Sequence, residues 1–537
     1  MFAVLGQLDA ATATQSAEEG SVPTQEAANL GPGGSTRPRE ATAKATLIRA
    51  FSEVAALLDS SRAVSHSGTP GLDTGEDWSR LEQDWVRLAA SLEGLTSAEL
   101  KPTQALQSAA FLDRARFEIL RCEATPWGTN PGWFARRAVE RIRSIPPLPA
   151  TGPEAEEAID LYVARINSLP ELLGSARRSI LRARAVDVAD ATVASAEAQR
   201  WLAEKLPNRF AQAGLTQTQR EELTEAVWKA LSANLEFQAW LADPDSLLPR
   251  ESTLLPAAAW LAWFRAATGS SASLNQIERT LLEQLRRTSR VEEERISEPR
   301  SLAAQTDLVR EAVEQAIALV APAAMKNEQG QSTLEVRMDL VSDPLEVEPV
   351  RFRNEPNLLV VEWLLAPAAA DATRTARLSD PTDVAARAAG FFLASQAIPD
   401  ASSDPLGFRA LELAWPTFAP PATDADREAL EDAHERRFRM ECAVLVAALR
   451  RHARRADRRE AAGAFDYLGG LPERTAKEFL DRIELEPEFG MAAWIALQWR
   501  SLTPAEQAGP QLRDALIQVS GLRPEHLNLK TTDRSGR

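Results

Sequence analysis

The sequence predicts a mainly α-helical protein with one small antiparallel β-sheet inserted near residues 331–366. Three observations predict it. Long segments rich in Ala, Leu, Arg and Glu carry apolar residues at helical spacing. One short region alternates apolar and polar residues with a period of two instead. Prolines and glycines fall mainly between these segments.

Residues 1–42 are rich in Ala, Thr, Gly, Ser, Glu and Pro, include Gly31-Pro-Gly-Gly-Ser35, and hold no sustained apolar period. They read as a disordered tail. From Ala43 a single large helical domain, residues 43–537, is expected. Its first helix carries Leu47, Phe51, Val54, Leu57 and Leu58, and its second Trp78, Leu81, Trp85, Leu88 and Leu92, with a Gly/Pro-containing loop over 65–77 between them. A third segment runs from about Glu154 to Ser168 and closes at Leu169-Pro170. Thr218-Gln-Arg-Glu221 has the spacing of a capping box, and Leu223, Val227, Leu231 and Leu235 continue from it in steps of four until Asp243-Pro244. Ile277, Leu281 and Leu285 mark a further helix over about Asn275 to Glu294.

The period of two appears in Leu334, Val336, Met338 and Leu340, then in Leu345/Val347 and Val350/Phe352, with Leu358 to Leu365 as a mostly apolar run. These residues predict two to four strands. After Pro381 the helical period returns, which gives a C-terminal helical part over 381–537.

Composition limits the function. The chain has 537 residues, and 61 Lys+Arg against 77 Asp+Glu gives a net charge of −16. An acidic surface repels a polyanion, so nucleic acid is not an expected partner. No run approaches the ~20 apolar residues that a membrane-crossing helix needs, and the apolar start Phe2-Ala-Val-Leu-Gly6 lacks a preceding basic residue. The expected location is cytoplasmic, with export as the alternative if the true start lies upstream. Cys122 and Cys442 are too few for a disulfide framework and read as small buried apolar residues.

No nucleotide-binding glycine loop and no Gly-x-Ser-x-Gly elbow occurs. The histidines are His66, His434, His452 and His526. Zinc needs several ligands at fixed spacing, and no pair has it. His434-Glu-Arg-Arg-Phe438 has Phe where a zinc helix needs its second imidazole, so His434 reads as a solvated helix residue. Arg450 to Arg459 is the strongest basic run. Spread around a helix without interleaved aromatics, it reads as a salt-bridged, solvated face, with a partner-binding patch as the alternative. Trp240, Trp260 and Trp263 read as core rather than as a ligand pocket.

Several segments resemble a bacterial family known as domain of unknown function 885. They are Leu161-Tyr-Val-Ala-Arg-Ile-Asn-Ser-Leu-Pro-Glu-Leu-Leu173, Pro256 to Gly269 followed by Ser273-Leu-Asn-Gln-Ile277, Cys442 to His452, Ala461 to Leu471 and Glu486 to Trp494. The resemblance covers roughly residues 45–530 and implies a gluzincin-like, mostly helical zinc metallopeptidase fold. In that family the motif His-Glu-x-x-Pro-Gly-His-His would bind zinc and activate water. Here the matching stretch is Ala385-Ala-Arg-Ala-Ala-Gly-Phe-Phe392, which keeps Gly390 but has Ala385 for the first His, Ala386 for the Glu and Phe391 and Phe392 for the paired histidines. Gly407-Phe-Arg-Ala410 matches the downstream ligand segment without its Glu, while His452 matches a family histidine.

The resemblance with this loss implies a catalytically inactive, metal-free relative without a cofactor, retaining a cleft for a peptide or protein. Two other readings stand beside it. One is a hydrolase using carboxylates such as Glu362, Asp404 or Glu412; the other is a scaffold or adaptor that binds its partner through Arg450 to Arg459.

Overall fold

The structure is a computed structural model describing residues 37–62, 71, 74–95, 100–123, 126–143, 145, 153–212, 215–249, 254–287, 302–320, 335–341, 350–355, 358–364, 381–397, 405–418, 425–469, 471 and 473–501. Among these residues helix dominates, as the sequence predicts. Residues 1–36 and 502–537 lie outside the described set, as do Leu345 and Val347.

The first half is a stack of helices. They are α1 (Arg37–Ser60), α2 (Gly75–Glu93), α3 (Pro102–Glu123), the single turn α4 (Pro126–Thr129), α5 (Pro131–Arg143), α6 (Pro153–Asn167), α7 (Leu169–Ser179), α8 (Ala185–Arg200), α9 (Leu206–Gln212) and α10 (Gln217–Ala242). Helix α1 begins six residues before the expected Ala43, inside the stretch read as a tail. Leu169-Pro170 opens α7 instead of only closing α6, because proline near the start of a helix gives up a backbone N–H that has no intrahelical partner there.

The capping box of α10 uses Thr216 and Gln219, not Thr218 and Glu221. The Thr216 hydroxyl accepts from the Gln219 N–H at 3.3 Å, and the Gln219 side chain accepts from the Thr216 N–H at 2.9 Å. The two pairs have the same spacing, and the helix starts at the earlier one. Between α8 and α9, residues Trp201–Lys205 form one wide π turn, closed by the Leu206 N–H on the Trp201 carbonyl.

These helices bury Trp85, Phe134, Tyr162, Leu172, Leu223 and Phe237 in one apolar core. Arg141 is fully covered as well, with its guanidinium donating to the Ser168 hydroxyl and the Gly71 carbonyl, both at 3.0 Å. A short parallel pair, β1 (Arg182–Ala183) with β2 (Leu248–Pro249), joins the ends of α7 and α10. It was not expected from two residues a strand.

The second half begins with α11 (Ala257–Thr268), α12 (Leu274–Arg287) and α13 (Leu302–Val320). The strands β3 (Glu335–Val341), β4 (Val350–Glu355) and β5 (Leu358–Leu364) follow, and they pair in the order β3-β5-β4. The expected sheet was antiparallel, and this one is mixed. Strand β4 returns antiparallel against β5, whereas β3 and β5 lie parallel from Glu335↔Leu358 to Val341↔Leu364. Alternation sets which face of a strand is buried, but says nothing about the direction of its neighbour.

Helices α14 (Pro381–Ala397), α15 (Pro405–Phe418), α16 (Ala425–His452), α17 (Arg458–Ala462), α18 (Glu473–Leu485) and α19 (Met491–Arg500) complete the described chain. Helix α16 is the apolar axis of this half, with every residue from Cys442 to Leu449 buried. Around it pack Trp260 and Phe264 of α11, Ile277 and Leu281 of α12, and Trp494 and Trp499 of α19. Gly490 lets α19 start against it, at φ 88°. A Cβ there would meet Val444 Cγ1 at 3.0 Å, so both the left-handed backbone and the close approach require glycine.

The halves meet where Phe117 of α3 packs edge-to-face on Trp263 of α11, centroids 5.7 Å apart, and where α8 touches α18. Trp260 and Trp263 are core, and Trp240 is half-buried against Phe237 at 5.3 Å.

Candidate functional site

The stretch that stands where the family motif would lie forms the middle of α14. Helix α13 packs along α14, the sheet abuts it, and α15 and α16 cover other sides. Ala385 is 1% exposed, Ala386 2% and Phe392 3%. They share one cluster with Val309, Val313, Ile317, Leu359 and Val361. Gly390 is buried too, and half-buried Phe391 sits between Phe352 of β4, tilted at 5.4 Å, and Phe408 of α15, edge-on at 5.2 Å. Methyl and phenyl groups have no lone pair for a metal, and here they pack as an apolar layer does.

Beside that layer lies a buried ionic group. Glu412 of α15 is 5% exposed, with one carboxylate oxygen accepting from Arg409 at 2.9 Å and the other from Arg437 of α16 at 2.7 Å. Arg409 also reaches Glu441 at 2.6 Å, and Arg436 reaches Asp383 of α14 at 2.7 Å. Both oxygens of the Glu412 carboxylate are thus engaged by guanidiniums of α15 and α16. These pairs tie α14, α15 and α16 together. Asp404 lies outside the described residues, as does the side chain of Glu362.

His434 is buried, not solvated as expected. It is 2% exposed, its Nε2–H donates to the Leu413 carbonyl at 2.6 Å, and burial, helped by the Arg500 and Arg409 charges, pushes its pKa down to about 3. The Phe438 one turn on is core, fully covered beneath the Arg500 guanidinium. An apolar helix face can bury an imidazole at little cost when a carbonyl takes its proton, a pattern that spacing alone does not reveal.

His452, the residue that matches a family histidine, closes α16. Its Nε2–H donates to the Ile483 carbonyl of α18 at 2.9 Å, and its Nδ1 accepts from the Leu255 N–H just before α11 at 3.3 Å. Both ring nitrogens are engaged, so in this arrangement the imidazole offers no lone pair to a metal. Burial lowers its pKa to about 4. His66 and His526 lie outside the described residues.

The basic run is not one helix face. Helix α16 ends at His452, Arg455 takes the left-handed conformation at φ 58°, and α17 starts at Arg458. Arg450 pairs with Glu278 at 3.5 Å and Arg451 with Glu484 at 2.7 Å, Arg454 reaches Glu278 at 3.4 Å, and Arg458 contacts Asp481 and Glu484. The run therefore staples α12 and α18 to the end of α16.

One polar cluster was not foreseen. At the seam between the halves, Glu118 of α3 is bound by Arg114 at 2.6 Å and Arg121 at 3.2 Å. Half-buried Glu486 and Glu488 approach from the turn before α19. Burial raises Glu488, reinforced by Glu486 and Glu118 and opposed by Arg121. Burial also acts on Glu486, but Arg482, Arg136 and Arg121 outweigh it and hold this carboxyl below its usual range. Two carboxyls pushed in opposite directions can act as proton donor and acceptor. Glu118 is far in sequence from the other two, and only the acid-Pro-acid spacing of Glu486-Pro-Glu488 hints at the cluster.

Cys122 and Cys442 are buried, with burial raising both thiols, Cys122 to about 12, so neither is a poised nucleophile. Among the described residues no group of three or more His, Cys, Asp or Glu is placed to hold a metal ion, and no helix is long and apolar enough to cross a membrane.

No protein-family model matches the chain, and no curated protein does. Solved structures do. A protein of Shewanella oneidensis, given the provisional name of lipoprotein and of unknown function, superposes with TM-score 0.58 at 11% identity, covering 92% of this chain and 99% of its own. A protein of Colwellia psychrerythraea with the same provisional name gives TM-score 0.59 at 13% identity, covering 92% and 97%. At such identities the likeness is one of fold, which this chain shares over nearly its whole length.

Proposed function

We propose that this protein is a catalytically inactive relative of helical zinc metallopeptidases that acts by binding a peptide or protein. The observation that carries this reading is the closed apolar layer of α14: Ala385, Ala386 and Phe392 stand where two imidazoles and a carboxylate would be needed, and all three are buried against α13 and the sheet. His452 supports it, since both of its nitrogens are spent on backbone groups. The test is metal content by mass spectrometry on untagged protein, with melting temperature measured with and without chelator and hydrolysis of a peptide library. No zinc, an unmoved melt and intact peptides are expected. Stoichiometric zinc with a chelator-sensitive melt would overturn the reading.

A second reading, a hydrolase working through carboxylates, draws on Glu486 and Glu488, whose proton affinities are driven apart at the seam. Under it, library cleavage would be insensitive to chelator and abolished by Glu488→Gln. As a third, an adaptor surface at Arg450 to Arg459 would rest on Arg455 and Arg459, because the other arginines of the run are engaged. As for location, the name shared by both structural neighbours favours export over the cytoplasm. Cell fractionation of the full-length product decides between them.

A further inference from the structure

One opening among the described residues lies away from α14, on the first half, between α9 and α10. Leu202, Pro207 and Phe210 form one wall, and Val227, Trp228 and Leu231 the other, around about 460 Å³. The size suits a small-molecule site. Leu202 and Ala203 of the π turn at Trp201–Lys205 close one side of the trough. The buried side of α10 packs on α6, α7 and α8, while its next face, with Trp228, Leu231 and Leu235, looks into the trough and out to solvent. Trp228 is 65% exposed, and Leu235, one turn past Leu231, is 45% exposed. Uncovered aromatic and aliphatic groups in one line are unusual on a folded surface and mark contact sites.

One end of the trough is different. Arg220 and Thr224 line it one helical turn apart on the same face of α10 as Val227 and Leu231. Among the described residues neither side chain makes a hydrogen bond or ion pair. From Arg220 to Leu231 the trough follows α10 for ~16 Å, at about 1.5 Å per residue.

We infer that the α9–α10 trough is a binding site for an acyl carboxylate, with the hydrocarbon chain along Phe210, Val227, Trp228 and Leu231 and the carboxylate at Arg220 and Thr224. The charges are complementary: a guanidinium and a hydroxyl present donors to two carboxylate oxygens. The apolar part of the trough selects the chain. An extended peptide laid there would give up its water hydrogen bonds and find only those two side chains and the Trp228 indole N–H in return, because the helix backbones on either side satisfy themselves. A hydrocarbon loses nothing polar. The inference is independent of whether the protein is an enzyme.

The test is isothermal titration of the full-length protein with sodium dodecanoate below its micellar range, beside dodecyl maltoside, which has the same chain and a neutral head. Dodecanoate is expected to bind at one site per chain, at least tenfold tighter than the maltoside. Arg220→Leu should erase that preference while leaving chain binding. Ala203→Trp and Ala211→Trp, on wall residues that face the trough, should block both ligands with unchanged melting temperature. Dodecanoate binding that survives both tryptophan variants would overturn the proposal, as would no binding at all. Tighter binding of an acetylated amphipathic helical peptide at the same site would assign the trough to a protein partner instead, and would equally overturn it.

Discussion

Helices α14 and α10 both carry apolar residues on more than one side, and the structure covers those of α14 and leaves part of those of α10 open. On α14, Ala385 and Phe392 vanish beneath α13 and the sheet. On α10, Val227 is buried while Trp228, about 100° further round the helix, stands 65% exposed. The difference is not in the presence of apolar residues. It lies in how many sides are covered: α13, the sheet, α15 and α16 surround α14, whereas α6, α7 and α8 cover one side of α10 and leave Trp228 and Leu235 outside. An apolar residue at helical spacing is therefore core or contact surface according to what packs opposite.

Truncation of aromatic residues breaks the comparison open most directly. Phe392→Ala should cost about 3–5 kcal/mol in urea unfolding, because a 3%-exposed ring leaves a cavity the surrounding layer cannot fill. Equal stability for that variant would mean α14 is not closed, and the region would again be a candidate cleft.

Acid sharpens the contrast between a sealed half and an open trough. His452 has its pKa lowered to about 4 in the folded protein, against ~6.5 unfolded. Above pH ~6.5 both states are neutral, and the stability is fully present. As pH falls from there towards 4 only the unfolded chain takes up the proton, and about 3 kcal/mol is lost. His434 adds a loss of the same sign. Unfolding midpoints measured from pH 7 to 4.5 should fall less steeply in His452→Leu than in the parent, by close to one proton. Identical slopes would place His452 in contact with solvent.

Smaller effects are expected around the trough. Thr216→Ala removes the capping hydroxyl at the start of α10 and should cost ~1 kcal/mol, whereas Thr218→Ala, at the other candidate position, should change little. Trp228→Ala should leave stability within about 0.5 kcal/mol, since an exposed side chain far from caps and cavities contributes little to folding. A loss of several kcal/mol there would show Trp228 to be a structural residue and remove the main wall of the acyl site.

Much of this was legible in the residues. The spacing of Ile277, Leu281 and Leu285 gave α12, and the alternation at Val336 and Phe352 placed β3 and β4. The candidate site was legible only as an absence, since Ala385 and Phe392 have no lone pairs to offer. The engaged state of His434 and His452 was not, because each depends on a carbonyl from another element, Leu413 of α15 and Ile483 of α18. The salt bridging of the arginines from 450 to 458 was legible, but their partners Glu278, Asp481 and Glu484 on other helices were not.

What the sequence determined by itself was local: the periods of 3.6 and 2, the breaks between them, the acidic balance, and the lack of histidine from 67 to 433. Those follow from the geometry of a single helix or strand, which each segment expresses wherever it sits. What only the tertiary structure decided was pairing. It set β3 parallel to β5, the meeting of Glu118 with Glu486 and Glu488, the sealing of α14, and the gap between α9 and α10. Each of those joins residues distant in the chain or turns on the direction one helix takes from another, and no local period carries that information.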